Sequence, residues 1–161
     1  MQKAIFLDRD GVINKEIGDY VTSHNDFEVL EHVVPNLKKL KDAGFIFIVI
    51  TNQGGIAKGL YTHDELMIIH KKMNDYLAQH QLQFTEVYYC PHHPATSNCL
   101  CRKPGSIMIE KAVAKYDINP VLSFMIGDKE RDVEASQAAG VKGFLIEANE
   151  DWSYLFNKII N

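Results

Sequence analysis

Two aspartates stand two positions apart near the start of the chain, in the run Ile-Phe-Leu-Asp-Arg-Asp-Gly. The apolar residues before Asp8 predict a buried strand that ends there, and in extended backbone Asp8 and Asp10 would point the same way. Two carboxylates that face one site can bind a cation, attack an electrophile or transfer a proton. Taken alone, the run Asp-Arg-Asp-Gly is equally typical of a turn, so other parts of the chain must decide between the two.

Polar residues also follow two other predicted strands. The second strand leads into TNQGG, which starts at Thr51, and the fourth leads into GDK, which contains Asp128. Because the carboxyl ends of parallel strands meet at one edge of a sheet, Asp128 could join Asp8 and Asp10 there. Three carboxylates repel one another unless a cation lies between them, and their hard oxygen atoms suit Mg²⁺. The free backbone N–H groups of the glycine-rich turn after Thr51 would bind phosphate, so we predict a magnesium-dependent site for a phosphorylated ligand.

The three cysteines lie close together, in the stretch CPHHPATSNCLCRKP. In a reducing compartment, clustered cysteines with a nearby histidine indicate metal binding rather than a disulfide. Cys90, His92, Cys99 and Cys101 supply three thiolates and one imidazole, which is the ligand set of a closed tetrahedral zinc site. Four protein ligands leave no open position, so the predicted zinc is structural. His93 could replace His92, although the alternate spacing favours His92, and buried thiols beside surface histidines are the alternative without metal.

Five predicted strands alternate with predicted helices, a pattern typical of a doubly wound, Rossmann-like α/β fold with a mainly parallel sheet flanked by helices. The predicted strands cover residues 3–7, 45–50, 84–89, 123–126 and 143–146, and the helices lie around 33–40, after 62, over 107–116 and over 133–139. Residues 148–161 predict a further helix that docks on the sheet. No linker or repeat divides the chain, so we expect one domain, residues 1–161, with a zinc-binding loop over 90–105.

The overall composition excludes some classes of partner. The chain has 161 residues, a formal net charge of −4 and no sustained basic stretch, so we expect no nucleic-acid partner. The longest apolar run, 45–50, is too short to cross a bilayer, and the strand predicted at residue 3 leaves no room for a signal peptide. We therefore expect a monomeric, cytoplasmic protein that binds a small phosphorylated metabolite and no membrane.

Four short motifs resemble those of the haloacid dehalogenase (HAD) superfamily of phosphohydrolases, and they occur in the same order. FLDRDG resembles the first motif, ITNQ the second, the lysine of CRKP the third and IGDKERD the fourth. The match extends over nearly the whole chain. It implies a HAD-like fold without a large cap domain, and a phosphatase that forms an aspartyl phosphate.

The resemblance also implies roles for individual residues. Asp8 matches the nucleophile, and Asp10 matches the general acid that protonates the leaving oxygen and then activates water. Thr51 and Lys103 match the groups that hold the phosphoryl oxygens. Asp128 matches the acid that binds magnesium together with Asp8 and the main-chain carbonyl of Asp10. Since Asp10 must be protonated when the alcohol leaves, we expect the pKa of Asp10 to lie above that of Asp8.

The zinc-binding loop and its CRKP ending narrow the resemblance to the branch that contains heptose bisphosphate phosphatases and histidinol phosphatases. TNQGGIAKGLYT, YYCPHHP and the lysine of GDK are similar to the heptose enzymes, whereas the short interval between His92 and Cys99 is similar to the histidinol phosphatases. We favour removal of the C7 phosphate of D-glycero-D-manno-heptose 1,7-bisphosphate, with histidinol phosphate as the alternative substrate. The resemblance implies substrate contacts at Glu16, Gly18, Tyr20, Asn52, Gln53, Gly54, Arg102 and Lys129, and Arg102 would contact a second anionic group.

Two classes without catalysis are the remaining alternatives. A phospho-accepting receiver domain shares the doubly wound sheet, the acid cluster and Mg²⁺, but its acceptor follows the third strand, which here leads into Cys90. A zinc-stabilised binding module would leave the acids of DRDG unexplained. A phosphatase accounts for both groups of residues.

Overall fold

The computed structural model describes residues 1–161 and contains one five-stranded sheet in which all neighbouring strands are parallel. The strands are β1 (Lys3–Leu7), β2 (Phe45–Asn52), β3 (Glu86–Cys90), β4 (Phe124–Gly127) and β5 (Lys142–Leu145), in the spatial order β3-β2-β1-β4-β5. The helices are α1 (Val33–Asp42), α2 (His63–Gln79), α3 (Ile107–Lys115), α4 (Glu130–Ala138) and α5 (Leu155–Ile160), and a short 3₁₀ helix covers Pro120–Leu122. The predicted doubly wound α/β fold is confirmed.

The central strand β1 is packed on both faces, as its continuous apolar sequence requires. Ile5 and Leu7 belong to a core cluster that also holds the buried residues of α1, α2 and α5, whereas Ala4 and Phe6 belong to a second cluster with those of α3 and α4. This alternation is the two-residue period of a strand. Because β1 is packed on both faces, the position of its last residue, Leu7, is fixed, and so is the start of the following segment at Asp8.

The second strand is longer than predicted. β2 continues through Asn52 because Thr51 and Asn52 pair with Tyr89 and Cys90 of β3. The polar residues after the apolar run are thus part of the sheet, and their side chains are held by its regular geometry.

Local caps determine where two helices begin. Thr62 Oγ1 accepts a hydrogen bond from Glu65 N at 3.2 Å, and Glu65 Oε2 accepts one from Thr62 N at 2.7 Å, which together form a capping box at the start of α2. α4 begins three residues before its predicted start, because Asp132 Oδ2 accepts a hydrogen bond from Lys129 N at 3.0 Å. This cap places Asp132 directly below the strand end that carries Asp128.

The C-terminal segment is helical only over the six residues of α5. Trp152 precedes that helix and is 1% exposed, and its Nε1 donates a hydrogen bond to the Val12 carbonyl at 3.2 Å. The segment is therefore anchored against the chain that follows β1. None of the helices combines the length and apolar character that crossing a membrane requires.

Candidate active site

The polar sequences that follow β1, β2 and β4 lie side by side, because β2 and β4 flank β1 in the sheet. The strand order changes direction at β1, which is where ligands bind in sheets of this type. A cleft of about 410 Å³ opens at this edge. The predicted site residues that line it are Asp8, Asp10, Glu16, Gly18, Tyr20, Asn52, Gln53, Gly54, Arg102, Asp128 and Lys129. Thr51 and Lys103 are buried and contact residues of this lining.

Asp8 and Lys103 form the centre of the site. The Lys103 ammonium is 1% exposed and lies 2.8 Å from Asp8 Oδ1 and 2.7 Å from Asp132 Oδ1, and it donates a hydrogen bond to the Ile50 carbonyl at 2.6 Å. Burial alone would lower the pKa of Lys103, but the carboxylates of Asp8 and Asp132 outweigh this effect and raise it. Asp8 Oδ1 also accepts a hydrogen bond from Arg9 N at 2.8 Å, so Oδ2 is the oxygen that faces the cleft without a protein donor.

A magnesium ion fits the carboxylates next to this pair. Asp8, Asp128 and Asp132 can each offer an oxygen atom within 4.8 Å of the other two. The Asp128 side chain is 1% exposed, and the one polar group paired with its Oδ2 is the Lys129 ammonium, 3.0 Å away. A Cβ on Gly11, whose φ is +82°, would lie 2.7 Å from that oxygen. A buried, under-satisfied carboxylate oxygen beside a backbone that tolerates only glycine is typical of a site built around a cation.

The two predicted catalytic aspartates differ in acidity, in the opposite order to our expectation. Burial raises the pKa of Asp8 to about 7, and the neighbouring carboxylates add to this effect against the opposing charge of Lys103. Burial also acts on Asp10, but the Arg9 guanidinium and the hydrogen bonds from Asn14 and Gln53 outweigh it and lower the pKa of Asp10. The expectation that the pKa of Asp10 lies above that of Asp8 is therefore wrong for the protein without metal or substrate. The reason is that Asp10 is hydrogen-bonded by Arg9, Asn14 and Gln53, whereas Asp8 shares the Lys103 ammonium with Asp132, whose charge raises the pKa of Asp8.

Arg9 is a functional residue that the sequence analysis left without a role. It is completely buried, and its Nη2 lies 2.9 and 3.1 Å from the two carboxylate oxygens of Asp10. Its Nη1 lies 3.3 Å from Nε2 of His70, and burial, followed by the charge of Arg9, lowers the pKa of His70 to about 3. His70 is thus neutral and can accept the hydrogen bond. An arginine directly after a buried strand and between two aspartates needs a partner when it is itself buried, and this requirement was the available signal.

Gln53 connects Thr51 to Asp10 at the floor of the cleft. Its Nε2 donates hydrogen bonds to Asp10 Oδ2 at 3.0 Å and to Thr51 Oγ1 at 2.9 Å, and its Oε1 accepts one from the hydroxyl of Tyr61. All polar atoms of this buried amide are therefore engaged within the protein. Gln53 lines the cleft as predicted, but in this structure its side chain orients the two residues beside it.

Asn52 performs a similar task for Lys103. Its Oδ1 accepts a hydrogen bond from Lys103 N at 3.0 Å, and its Nδ2 donates one to the Lys103 carbonyl at 3.1 Å. These two hydrogen bonds link the main chain near the end of the zinc-binding loop to the end of β2. The Lys103 ammonium can therefore reach Asp8 with little conformational freedom.

The outer part of the cleft carries both signs of charge. Arg102, Lys129 and Arg131 line it, together with His93 and Asp19. No role in this cleft was predicted from the sequence for His93, Asp19 or Arg131, because they belong to two separate loops and to the first turn of α4, which only the fold brings together. The cationic side chains provide the charge needed to bind an anionic group of a ligand beyond the group next to Asp8.

The four predicted zinc ligands form a separate cluster beside the cleft. Cys90 Sγ lies 3.0 Å from Cys101 Sγ and 3.6 Å from Cys99 Sγ, and His92 Nδ1 lies 3.3 Å from Cys101 Sγ. A tetrahedron with Zn–S bonds of about 2.3 Å has sulfur–sulfur edges of roughly 3.8 Å, so the cluster has the size and donor set of a zinc site. His92 belongs to this cluster, whereas the adjacent His93 lines the cleft. The three cysteines form no disulfide.

Known proteins are similar to this chain in sequence and in fold. A family model described as HAD-hydrolase-like matches residues 100–151. The D-glycero-alpha-D-manno-heptose-1,7-bisphosphate 7-phosphatase of Photorhabdus laumondii is 37% identical over 158 residues, which cover 94% of this chain and 86% of that protein. The D-glycero-beta-D-manno-heptose-1,7-bisphosphate 7-phosphatase of Escherichia coli K12 is 40% identical over 144 residues, which cover 86% of this chain and 75% of the relative.

One solved structure is similar to this chain over most of the length of both proteins. The D,D-heptose 1,7-bisphosphate phosphatase of B. bronchiseptica, complexed with magnesium and phosphate, superposes with a TM-score of 0.84 at 34% sequence identity. The similarity covers 89% of this chain and 80% of that one. Both the sequence and the fold are therefore similar over most of the two chains.

Proposed function

Because this chain belongs to the HAD superfamily, in the family of the heptose bisphosphate phosphatases, we propose that it removes the C7 phosphate of D-glycero-D-manno-heptose 1,7-bisphosphate. The observation that carries the proposal is the contact between the Asp8 carboxylate and the buried Lys103 ammonium, 2.8 Å apart at the switch point of the sheet. A carboxylate nucleophile divides one difficult displacement at phosphorus into two easier ones. The lysine neutralises charge on the transferring group.

Asp8 Oδ2 attacks phosphorus, so that an oxygen–phosphorus bond forms on the enzyme while the bond to the sugar oxygen breaks. Asp10 donates its proton to that leaving oxygen and then accepts one from the water that attacks the phosphorylated Asp8. This second displacement releases inorganic phosphate and restores both carboxyl groups. Asp8, Asp128 and the Asp10 carbonyl would hold a magnesium ion, which neutralises negative charge on the phosphoryl oxygens.

The ionised state of Asp10 in the free protein agrees with its role in the second step, where it acts as a base. For the first step it must carry a proton, and the negative phosphate of an arriving substrate favours the protonated form of a nearby carboxyl group. Arg9, Asn14 and Gln53 hold the carboxylate in one place through both steps. We propose that these three residues orient Asp10 rather than contact the substrate.

The function is tested by phosphate release with Mg²⁺ from both anomers of the heptose bisphosphate and from histidinol phosphate. We expect at least one heptose anomer to give a kcat/KM more than about tenfold above that of histidinol phosphate, because the cleft offers cations for a second phosphate. The opposite preference would assign the chain to the histidinol phosphatases instead. Absence of release from every ester would exclude phosphatase activity.

Arg102→Ala should impair bisphosphate substrates selectively. Arg102 lines the cleft beyond Asp8, and charge-assisted hydrogen bonds to a second phosphate would be lost, so kcat/KM for the bisphosphate should fall roughly 10- to 100-fold. Hydrolysis of a simple monophosphate such as p-nitrophenyl phosphate should change less than about twofold, because those bonds do not exist for it.

The control concerns the zinc-binding loop, since Arg102 Nη1 donates a hydrogen bond to the His92 carbonyl at 3.1 Å. Zinc content is therefore measured for Arg102→Ala and for Arg102→Lys, which keeps the charge without the planar fork. Equal losses on both substrates at unchanged zinc content would exclude Arg102 from recognition of a second anion.

We further propose that Cys90, His92, Cys99 and Cys101 bind zinc, and elemental analysis should find about one ion per chain. Cys99→Ser should remove the zinc and lower Tm by roughly 5–10 °C, because a closed metal site contributes directly to folding. His93→Ala is the matched control: it should retain the zinc, since His93 faces the cleft. Protein purified without chelators that contains no zinc would contradict this assignment.

A further inference from the structure

The segment that follows β5 contacts the loop 16–20, whose residues Glu16, Gly18 and Tyr20 line one side of the cleft. A single residue of that segment, Asn149, makes most of the polar contacts. Asn149 N donates a hydrogen bond to the Gly11 carbonyl at 2.8 Å. The Asn149 side chain then brackets one peptide unit: its Oδ1 accepts from Glu16 N at 2.6 Å, and its Nδ2 donates to the Glu16 carbonyl at 3.1 Å. Residues 133 positions apart in the sequence are thereby joined by two side-chain hydrogen bonds.

The backbone of Asn149 is adapted to this role. Its φ is +67°, in the left-handed region where asparagine is tolerated better than other residues with a side chain. Three residues on, the buried Trp152 holds the same segment in place through its bond to the Val12 carbonyl. The segment that carries Asn149 is therefore itself fixed to the core of the protein.

The loop has no other main-chain attachment to the rest of the fold, and its remaining contacts are made by side chains: Val21 is buried in the core, and the Tyr20 ring lies 6.4 Å from that of Tyr61. Among the main-chain groups of residues 16–22, only the N–H and C=O of Glu16 form hydrogen bonds with another part of the fold, and both bond to Asn149. Within the loop, Gly18 N donates to Glu16 Oε1 at 2.8 Å and Tyr20 N donates to Asp19 Oδ1 at 2.7 Å. Asn149 thus fixes the start of the loop, and the Glu16 side chain in turn holds Gly18.

The side of the cleft that this loop forms lies apart from the groups next to Asp8. Glu16, Gly18 and Tyr20 line the cleft, whereas Asp8 and Lys103 are held by the strand ends, by Asn52 and by Asp132. Loss of the contacts to Asn149 would release the loop and leave the catalytic groups in place. Ordering a loop before binding reduces the entropy that binding must spend.

We propose that Asn149 is a positioning residue for substrate recognition: it fixes the loop 16–20 in the conformation that contacts the part of the substrate beyond the reacting phosphate. This proposal rests on the function proposed above and extends it. It gives the C-terminal segment, for which the sequence analysis found no role, a place in the site. It also predicts that one substitution can raise KM for the bisphosphate while kcat stays nearly unchanged.

The test is Asn149→Gly, since glycine adopts a positive φ without strain and keeps the N–H bond to Gly11 while losing both side-chain bonds. We expect KM for the heptose bisphosphate to rise roughly five- to thirtyfold, the effect of two lost hydrogen bonds, and kcat to change less than about threefold. The kcat/KM for p-nitrophenyl phosphate should stay within about twofold, because that ester lacks the sugar and the second phosphate that the loop would contact. An unchanged KM for the bisphosphate would overturn the proposal.

Gln81→Gly is the matched control, because Gln81 also has a positive φ, of 60°, and lies at the end of α2, outside the cleft. It should leave every kinetic constant unchanged. Tyr20→Ala combined with Asn149→Gly tests whether the asparagine acts through the loop: the double variant should lose little more than the worse single variant. Fully additive losses would contradict a role through the loop.

Two further measurements distinguish a failure of the proposed function from a failure of the role proposed for Asn149. Wild-type protein that hydrolyses p-nitrophenyl phosphate but neither heptose anomer would overturn the proposed function, and this proposal with it. Should Asn149→Gly fail to fold, hydrogen exchange of the wild type decides, because the Glu16 amide should exchange more slowly than that of Ile17. Equal exchange of these two amides would overturn the proposal without any variant.

Discussion

Asp8→Asn should reduce phosphate release from the preferred substrate by at least about 10⁴-fold, the loss expected when a covalent nucleophile is removed. The amide that replaces the carboxylate cannot form a stable bond to phosphorus, and no other carboxylate lies 2.8 Å from Lys103 on the open side of the cleft. Acid-quenched wild-type protein should carry phosphate that hydroxylamine removes, whereas the variant should carry none.

The variant should remain folded. Asparagine has nearly the same shape as aspartate, and its amide oxygen can still accept the hydrogen bond from Arg9 N. Lys103 keeps the buried carboxylate of Asp132, 2.7 Å away, as its partner. Asp75→Asn, an exposed substitution on α2, is the matched control and should leave activity unchanged. Phosphate release by Asp8→Asn at the wild-type rate would rule out the nucleophile.

Asp10→Asn should lower kcat for the heptose bisphosphate roughly 10²- to 10⁴-fold, the usual contribution of a general acid or base. The asparagine has nearly the same shape but cannot transfer a proton. For p-nitrophenyl phosphate, whose leaving group needs little protonation, the first step should remain fast and the second should become slow. Stopped-flow absorbance should therefore show a burst of about one nitrophenolate per active site, followed by slow turnover.

This substitution also carries a structural cost, which the experiment must separate from the chemical one. Arg9 is completely buried, and Asp10 is its ion partner, so the neutral side chain leaves a buried guanidinium without a counter-charge. Breaking a buried pair in this way should lower Tm by roughly 5–15 °C in a chain of this size. Kinetics are therefore measured at a temperature where circular dichroism shows the variant folded. A loss in kcat below about threefold would exclude a role in proton transfer.

The contact between Arg9 and Asp10 changes how the motif DRDG should be understood. The resemblance implied two aspartates, a nucleophile and an acid, and the alternation of a strand placed them on one side. In the structure the intervening arginine binds the second aspartate through Nη2, at 2.9 Å, and is itself supported by the neutral His70. The motif therefore supplies both the acid and the cation that lowers the pKa of the acid before substrate arrives.

The amino-acid sequence by itself determined the sheet, its strand positions and the convergence of the acids at one edge. The apolar runs of β1 and β2 are local signals, and the parallel arrangement that follows from strand–helix alternation brings their carboxyl ends together. The spacing of Cys90, His92, Cys99 and Cys101 was likewise sufficient to predict the cluster, because ligands within a short loop can meet without help from distant elements. These features depend on residues close together in the chain or on a general rule of topology.

Only the tertiary structure decided which side chains support the site and how acidic its carboxyl groups are. Asn149 and Glu16 meet across 133 positions, and Lys103 of the zinc-binding loop contacts Asp132 of α4. The reversed order of the pKa values of Asp8 and Asp10 also arises from burial and from the neighbours that each carboxylate meets in space. Arg9 is adjacent to Asp10 in the sequence, but its burial and its contact with His70 are set by the packing of elements far apart, so the motif alone does not determine how acidic Asp10 is.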